Sequence, residues 1–328
     1  MKVCIVGAGA IGGLFAGWLG CRIPGDELAL SALARGETLA ALRAAGLQLD
    51  SGGERMQVAL KASDDASELG VQDLVIVAVK GPALAAVAPA VRRLLGPHGT
   101  VLVAMNGVPW WFFDGLGGPC NGLRLESVDP GGRIHEAIPL AQVIGCVVHA
   151  SSTVQRPGAV RHVMGNGLVI GEPRGGLTPR VEQLASLLER AGFAVTRSER
   201  IQRDIWFKLW GNMTMNPVSA LTGATADRVL DDPLVRGFCC AVMLEAKEIG
   251  ARIGCAIDQT PDERHQITRK LGAFKTSMLQ DLEAGRPLEI HALVGAVREI
   301  GQHLGLATPN TDALLGLVRL MARVRGLA

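Results

Sequence analysis

A short apolar run followed directly by a glycine-rich turn opens the chain and restricts its fold more than any other stretch. Residues 2–6 (KVCIV) are typical of a strand buried on both faces, and a periodic segment at 11–19 predicts a helix. The turn between them has the pattern G-x-G-x-x-G: Gly7, Ala8, Gly9, Ala10, Ile11 and Gly12. Strand, glycine turn and helix in this order indicate a dinucleotide-binding unit.

The three glycines have separate roles in such a unit. Gly7 would make the tight bend, Gly9 would let a pyrophosphate approach the backbone, and Gly12 would let the helix pack against the strand. The pattern alone is weak evidence, but here it has the right neighbours in the right order. The six glycines between Gly7 and Gly20 also argue against a signal peptide in this apolar segment.

Length and patterning predict two domains. A chain of 328 residues with 48% hydrophobic content is long enough for two cores. Short strand and helix patterns alternate up to about Ser198, which predicts an α/β Rossmann-type doubly wound sheet over 1–198. Its later strands are predicted at 143–151, 159–163, 168–170 and 193–196. Beyond Ser198 only helical patterns occur, so 199–328 is predicted to be an all-α domain. These patterns cover residues 201–215, 233–249, 263–282, 288–304 and 311–324, and Pro217 is expected to end the first of them.

Charge and cysteine content exclude several classes of function. The 33 Lys and Arg nearly balance the 31 Asp and Glu, and no basic run exceeds two residues, so neither nucleic acid nor a membrane surface is an expected partner. Seven scattered cysteines without C-x-x-C are typical of a reduced, cytoplasmic protein. The histidines lack metal-site spacing, so we expect no metal. No apolar run approaches the roughly 20 residues that span a bilayer.

Polar side chains follow several predicted strands. Arg35 comes after the strand at 27–33, where an NAD enzyme would carry an acidic residue, so it would favour the 2′-phosphate of NADP(H). A solvated surface arginine is the alternative, and Glu37 keeps NAD open. Lys80 and Asn106 follow the strands at 73–79 and 100–104, at the sheet edge where ligands bind.

A polar stripe in the second domain contains the strongest catalytic candidates. Lys208, Asn212 and Asn216 are spaced i, i+4, i+8 and share one helix face. They are surrounded by large apolar side chains, namely Trp206, Phe207, Leu209, Trp210, Met213 and Met215. The simpler alternative is a solvated stripe on an amphipathic helix, with the lysine reaching water.

Four adjacent aromatic residues, Trp110 to Phe113, begin a stretch rich in Gly and Pro that extends to Pro139. We expect a loop, because four consecutive aromatics should not all face one core. Some of them would cover the active site or contact another subunit, which makes a homodimer a further expectation. A short buried helix is the alternative.

Together these features resemble the ketopantoate reductase family (2-dehydropantoate 2-reductase) along nearly the whole chain. Besides the glycine turn, the resemblance rests on four groups of residues: Val79-Lys80, Asn106-Gly107, Lys208-x-x-x-Asn212-x-x-x-Asn216-Pro217, and Ser277-Met278-x-Gln280-Asp281 with Glu289-Ile290. Members reduce a branched 2-oxo acid with NADPH, using a Rossmann domain and a helical domain. The resemblance therefore implies NADP(H) as cofactor and a small 2-oxo acid, most directly 2-dehydropantoate, as substrate.

The resemblance also implies residue roles. Lys208 would be the general acid, and Glu289 the carboxylate that orients the site and contacts the cofactor. Substrate would be held by Asn212, Asn216, Ser277 and Asn106. Cofactor contacts would come from the glycine turn, Arg35, Lys80, Asn106 and the backbone at His149-Ala150. We expect Lys208 and Glu289 to lie within hydrogen-bond or one-water reach, in a cleft between the domains, although helix capping would also explain a glutamate at 289.

Three departures from the family pattern bear on the substrate more than on the reaction. His291 replaces the usual Asp after Glu289-Ile290, Gly81-Pro82 follows Lys80, and Ala226 stands where some members have a third asparagine. Two alternatives therefore stay open. One is a reductase of another 2-oxo acid or a dehydrogenase of a 3-hydroxy acid, and the other is a non-catalytic protein that senses NADP(H).

Overall fold

The first of two compact units in the computed structural model, which describes residues 1–327, comprises residues 1–105 and 132–201. It contains a ten-stranded sheet. Its strands are β1 (Lys2–Val6), β2 (Ala29–Leu33), β3 (Leu47–Ser51), β4 (Glu54–Val58), β5 (Lys61–Ser63), β6 (Gln72–Val77), β7 (Leu95–Val103), β8 (Val143–Arg156), β9 (Ala159–Gly171) and β10 (Ala194–Ser198). Its helices are α1 (Ala10–Arg22), α2 (Gly36–Ala45), α3 (Ala66–Leu69), α4 (Gly81–Leu94), α5 (Arg133–Ala137) and α6 (Pro179–Arg190).

Six parallel strands form the part of the sheet that was predicted as Rossmann-type. They run in the order β5-β2-β1-β6-β7-β8, and every neighbouring pair is parallel. From β1 the chain goes first to one side, through α1 to β2, and later returns to the other side at β6. The carboxyl ends of β1 and β6 therefore form the topological switch point at which ligands bind in open α/β sheets.

The remaining strands extend the sheet beyond the six parallel ones. β8 and β9 form a long antiparallel hairpin, β3 and β10 both pair with β9 in parallel, and β4 lies antiparallel to β3 at the edge. The sequence patterns at 159–163 and 168–170, predicted as separate strands, belong to the single strand β9. The mixed sheet confirms the predicted α/β class.

Helix α1 packs unusually close to the sheet, and its glycines make this approach possible. A Cβ on Gly13 would lie 2.5 Å from a methyl of Val160, one on Gly17 2.4 Å from Leu49, and one on Gly20 2.3 Å from Val58. These glycines are spaced along one face of the helix. The glycine content of residues 7–20 thus reflects packing of a buried helix against β3, β4 and β9.

The second unit comprises residues 106–131 and the chain from 202 onward. Between residues 202 and 327 every regular element is helical, in agreement with the predicted all-α half. Its helices are α7 (Ile201–Thr222), α8 (Ala226–Asp231), α9 (Pro233–Arg252), α10 (Pro261–Arg269), α11 (Ser277–Glu283), α12 (Ala296–His303) and α13 (Pro309–Val324). A π-helical turn, His291–Gly295, leads into α12. None of the helices within residues 1–327 has the length and apolar content needed to cross a membrane.

Two helix boundaries differ from the prediction. Pro217 was expected to end a helix, but α7 continues through it to Thr222, because its surroundings from Met213 to Ala220 are buried and packing outweighs the lost hydrogen bond. The single helix predicted at 263–282 is in fact α10 and α11. Gly272 interrupts it with a φ of +63°, and Thr276 then caps α11 by accepting a hydrogen bond from the amide of Leu279.

The aromatic segment was predicted incorrectly. Trp110, Trp111, Phe112 and Phe113 are all at most 5% exposed, although the backbone there is a series of turns. The Phe112 ring lies 5.1 Å from that of Phe113 and 6.0 Å from that of Trp206 on α7, measured between centroids. Residues 106–131, predicted with the first domain, therefore contribute to the core of the helical unit.

Candidate active site

The glycine turn after β1 has the geometry of a nucleotide-binding loop. Gly7 has a φ of +91°, and a Cβ there would lie 2.7 Å from a methyl of Val79. A Cβ on Gly12 would lie only 2.0 Å from the carbonyl oxygen of Gly7, so no side chain fits at either position. Gly9 differs, because a Cβ there would meet no atom of residues 1–327 within 4 Å. The open space at Gly9 is where a ligand can approach the backbone.

The amino end of α1 favours a negatively charged group at this turn. Gly9 is its N-cap, no side chain caps the helix, and the first turn contains no acidic residue. The free N–H groups of Ala10 and Ile11 and the helix dipole therefore suit a phosphate. The turn fits the pyrophosphate of a dinucleotide.

Arg35 lies at the carboxyl end of β2, as predicted. It is exposed and precedes α2, and within residues 1–327 no acceptor binds its guanidinium. Glu37, in the first turn of α2, is exposed as well. The position fits a ribose 2′-phosphate, and the choice between NADP(H) and NAD stays a prediction.

Lys80 and Ala150 were predicted on the cofactor side, and both are half-buried in the first unit. Lys80 precedes α4, and its carbonyl accepts a hydrogen bond from the amide of Ala83 at 2.9 Å. Ala150 lies on β8, where the pairing register with β9 shifts between His149 and Ser151. Their contacts with a cofactor remain predictions.

Lys208 makes a specific contact in the second unit. Its ammonium donates a hydrogen bond to Oδ1 of Asn106 at 2.8 Å, and both residues are half-buried. The predicted helix face exists, since α7 contains Lys208, Asn212 and Asn216 in one continuous register. The opposite side of α7 is fixed by Trp210, which donates from Nε1 to the carbonyl of Met243 at 2.7 Å. A rigid helix thus positions the ammonium beside an amide.

Asn106 is itself held by the π-helical turn. The amide of Val108 donates to the carbonyl of Ala292 at 2.9 Å, and Gly107, with a φ of +85°, leaves no room for a Cβ against the same carbonyl. Glu289, 7% exposed, immediately precedes this turn. π-helical turns are frequent at functional sites. The turn thus connects the segment of Glu289 to Asn106, the hydrogen-bond partner of Lys208. Direct contact between Lys208 and Glu289 stays a prediction.

Ser277 lies beside the same helix face. Asn216 is 5% exposed and donates from Nδ2 to the hydroxyl of Ser277 at 3.3 Å. Ser277 is the first residue of α11. Asn212 is half-buried, and within residues 1–327 its amide has no hydrogen-bond partner, so it is free to bind a ligand. The structure brings Asn216 and Ser277 together, which are 61 residues apart in sequence.

One neighbour of this helix face, Arg264, was not predicted from the sequence. The Arg264 guanidinium lies over the Phe207 ring, 4.9 Å from its centroid, and against Gly211. The available sequence signal was Gly211 itself, a glycine inside a helix, which is unfavourable unless close packing requires it.

A group of potential metal ligands also lies in the second unit. Ligand atoms of Cys240, Asp262 and His265 are within 4.8 Å of one another. Three arginines also act on the His265 imidazole, and such positive charge disfavours a cation. The expectation of no metal stays a prediction.

His265 provides a prediction about pH. Burial lowers the pKa of His265 below the usual 6.5. The charge of Asp262 partly opposes this shift, and the charge of Arg236 reinforces it. The folded protein therefore binds fewer protons than the unfolded chain just below pH 6.5, and its stability should decrease as the pH falls through that range. The slope for one proton is at most about 1.4 kcal/mol per pH unit. Urea unfolding from pH 5 to 8 measures it.

His265→Gln should flatten this part of the stability profile. His303→Gln is the matched control, because His303 is an exposed histidine at the end of α12. An unchanged profile in His265→Gln would show that other groups cause the loss of stability at acidic pH.

A Rossmann-type unit with an open glycine turn and a helical unit in which a lysine ammonium faces an amide suit an oxidoreductase that uses a dinucleotide cofactor. Two family models match the chain: ketopantoate reductase PanE/ApbA over residues 3–110, and its C-terminal model over residues 200–322. The chain belongs to the ketopantoate reductase family, and the resemblance noted in the sequence is confirmed.

Individual relatives agree with this assignment. A 2-dehydropantoate 2-reductase of Mesorhizobium japonicum is 44% identical over 326 residues, 99% of both chains. The crystal structure of a candidate ketopantoate reductase from Ralstonia solanacearum has 57% identity and a TM-score of 0.95, covering 100% of this chain and 99% of that one. D-mandelate dehydrogenase with NADH and anilino(oxo)acetate, 21% identical with a TM-score of 0.84 and coverage of 99% and 100%, shares the fold.

Proposed function

We propose that the protein catalyses the NADPH-dependent reduction of a branched 2-oxo acid, with 2-dehydropantoate as the substrate and pantoate as the product. The hydrogen bond between the Lys208 ammonium and Asn106 carries this proposal, because it holds a proton donor at a defined place on a rigid helix. The identity with the Mesorhizobium japonicum enzyme supports the choice of substrate.

Lys208 acts as the general acid in this proposal. Reduction of a ketone leaves growing negative charge on its oxygen, and a positioned ammonium lowers the barrier by donating a proton to that atom. Asn106 orients the ammonium through its side-chain oxygen, while the π-helical turn keeps Asn106 in place. Asn212 and the Asn216 and Ser277 pair supply hydrogen bonds for the hydroxyl and carboxylate of the substrate, and Glu289 orients the site.

The residues that would hold NADPH all lie in the first unit, apart from Asn106 and Glu289. The turn from Gly7 to Gly12 binds the pyrophosphate through backbone N–H groups, and Arg35 binds the 2′-phosphate. Lys80 and the backbone of Ala150 contact the remainder of the cofactor. When bound, NADPH supplies the hydride that reduces the carbonyl carbon.

Arg35→Ala should remove the preference for NADPH over NADH. A hydrogen bond to a charged group contributes about 1.5 to 3 kcal/mol, so Kd for NADPH should rise roughly tenfold to a hundredfold while Kd for NADH stays nearly constant. Fluorescence titration with both cofactors measures this. Arg43→Ala, at an exposed position on α2, is the control, and an equal loss of both cofactors in Arg35→Ala would contradict the assigned role.

The test of the function is NADPH oxidation with 2-dehydropantoate beside a panel of other 2-oxo acids, with NADH in parallel. A kcat/KM for 2-dehydropantoate well above those of the other acids is expected. The fold shared with D-mandelate dehydrogenase keeps a different 2-oxo acid as the second candidate, and a higher kcat/KM for an aromatic acid would favour it. Binding of NADPH without its oxidation by any of these acids would instead favour the alternative of a non-catalytic protein that senses NADP(H). The predicted homodimer and cytoplasmic location are not needed for this proposal.

A further inference from the structure

Arg264, an arginine beside the lysine helix α7, has no counter-ion among residues 1–327. The guanidinium of Arg264 lies over the ring of Phe207 and against the backbone of Gly211. Its Nε is buried without a hydrogen-bond partner, whereas the side chain as a whole is only partly buried. Within residues 1–327 it forms neither an ion pair nor a hydrogen bond. A partly desolvated cation in this state is unusual, because buried charges are normally paired.

The acidic residues nearest in sequence are engaged elsewhere. Glu263 accepts hydrogen bonds from the backbone and hydroxyl of Thr260 in a capping box, and Asp262 acts on His265. Burial lowers the pKa of Arg264, and no described acidic group offsets this effect. The part of the chain that the structure describes therefore leaves the charge of Arg264 without a partner.

Gly211 shows that the position of this side chain is specific. A Cβ at residue 211 would lie 2.9 Å from Nε of Arg264 and 3.1 Å from Nη2. Glycine in a helix interior is less stable than alanine, so its presence in α7 needs a compensating contact. The flat guanidinium fills the space that the missing side chain leaves.

The position of Arg264, next to the polar face of α7, points to a ligand with a carboxylate. Phe207 and Gly211 directly precede Lys208 and Asn212, and Gly211 is only about 60° around the helix from Lys208. Asn212, Asn216 and Ser277 offer hydrogen bonds but no charge. A 2-oxo acid carries a carboxylate next to its carbonyl, and a planar guanidinium matches a carboxylate in shape and charge.

From this geometry we infer that Arg264 binds the carboxylate of the 2-oxo acid, with Gly211 as the residue that makes room for it. This inference rests on the proposed function and adds a specificity residue to it. Arg264 selects acids over neutral ketones, and Lys208 remains the proton donor.

The first test compares Arg264→Met with wild type on a 2-oxo acid and on its neutral amide. KM for the acid should rise about tenfold to a hundredfold in the variant, while KM for the amide and Kd for NADPH change less than about twofold. Arg252→Met is the control, because Arg252 is an exposed arginine on α9 paired with Glu248. Equal changes for acid and amide would overturn the inference, and so would weaker NADPH binding with an unchanged KM for the acid, which would assign Arg264 to a cofactor phosphate.

The second test uses Gly211→Ala. The added methyl should displace the guanidinium and therefore raise KM for the acid. The thermal unfolding temperature should fall only slightly below that of wild type, because only the contact between Arg264 and Gly211 is lost. Arg264→Lys, which keeps the charge without the planar fork, should restore part of the affinity that Arg264→Met loses. A KM for the acid that is unchanged in Gly211→Ala and in Arg264→Met would overturn the inference.

Calorimetric titration with a 2-hydroxy acid separates this inference from the proposed function, because it needs no turnover. Binding to wild type that is lost in Arg264→Met supports the role of Arg264 even if no 2-oxo acid is reduced. Equal binding to both proteins overturns that role, even if wild type is an active reductase.

Discussion

Lys208→Ala is expected to reduce kcat by roughly 10²- to 10⁴-fold, the usual contribution of a general acid. The variant loses the proton donor, but the glycine turn and Arg35 are untouched, so Kd for NADPH should change by less than about twofold. Stopped-flow measurement of NADPH oxidation gives the rate, and fluorescence titration gives the affinity. Lys270→Ala is the control, because Lys270 is an exposed lysine at the end of α10. Turnover close to wild type in Lys208→Ala would show that another group donates the proton.

The contact with Asn106 allows a sharper version of this experiment. If Asn106 acts by orienting the ammonium, Asn106→Ala should lower kcat in the presence of Lys208 and have little further effect in its absence. Fully additive losses in the double variant would mean that Asn106 acts on the substrate or cofactor directly. The double-mutant cycle therefore tests whether the 2.8 Å hydrogen bond contributes to catalysis.

The sequence predicted the first unit well for a physical reason. Strands such as β1 and β6 are buried on both faces, so they consist of nearly continuous apolar residues, bounded by turns that contain glycine. What it could not predict was the pairing of β3 with β9, because partially exposed strands carry weaker patterns and these two strands lie far apart in the chain. The length of β9 was missed for the same reason.

The helical unit was predicted less accurately, since its packing overrides local preferences. Pro217 lies inside α7 in a buried segment, whereas Gly272 ends the pattern that had predicted one helix from 263 to 282. The sequence predicts a loop from Trp110 to Phe113 that is not fully buried, yet all four rings lie in the core. Turns can direct consecutive side chains into one core where a strand or helix could not.

In the candidate site, too, local sequence patterns could be predicted, and contacts between distant residues could not. The stripe of Lys208, Asn212 and Asn216 followed from helical periodicity, and the glycine turn followed from its motif. The pairing of Lys208 with Asn106 joins residues 102 positions apart, and no local pattern specifies such a contact. Arg264 could not be predicted as a site residue, because the residues that it contacts, Phe207 and Gly211, carry no charge that would indicate a nearby arginine.

Gly9→Ala should lower the affinity for NADPH by about tenfold or more without unfolding the protein. The new methyl meets no atom of residues 1–327 within 4 Å, and Gly9 has a negative φ of −82° rather than the left-handed backbone that excludes alanine, so the turn should keep its shape. The methyl would occupy space where the pyrophosphate approaches the backbone, and loss of a charge-assisted hydrogen bond costs about 1.5 to 3 kcal/mol. Fluorescence titration and thermal unfolding without ligand measure the two effects separately.

Comparison with Gly12→Ala distinguishes a binding role from a structural one. A Cβ at Gly12 would lie 2.0 Å from the carbonyl oxygen of Gly7, so this variant should lose stability even without cofactor, by about 1 to 3 kcal/mol or more. Gly25→Ala is the control, because its Cβ also meets nothing within 4 Å but lies outside the turn. Unchanged NADPH affinity in Gly9→Ala would mean that the pyrophosphate does not approach this backbone, since only a ligand can compete for the space at Gly9.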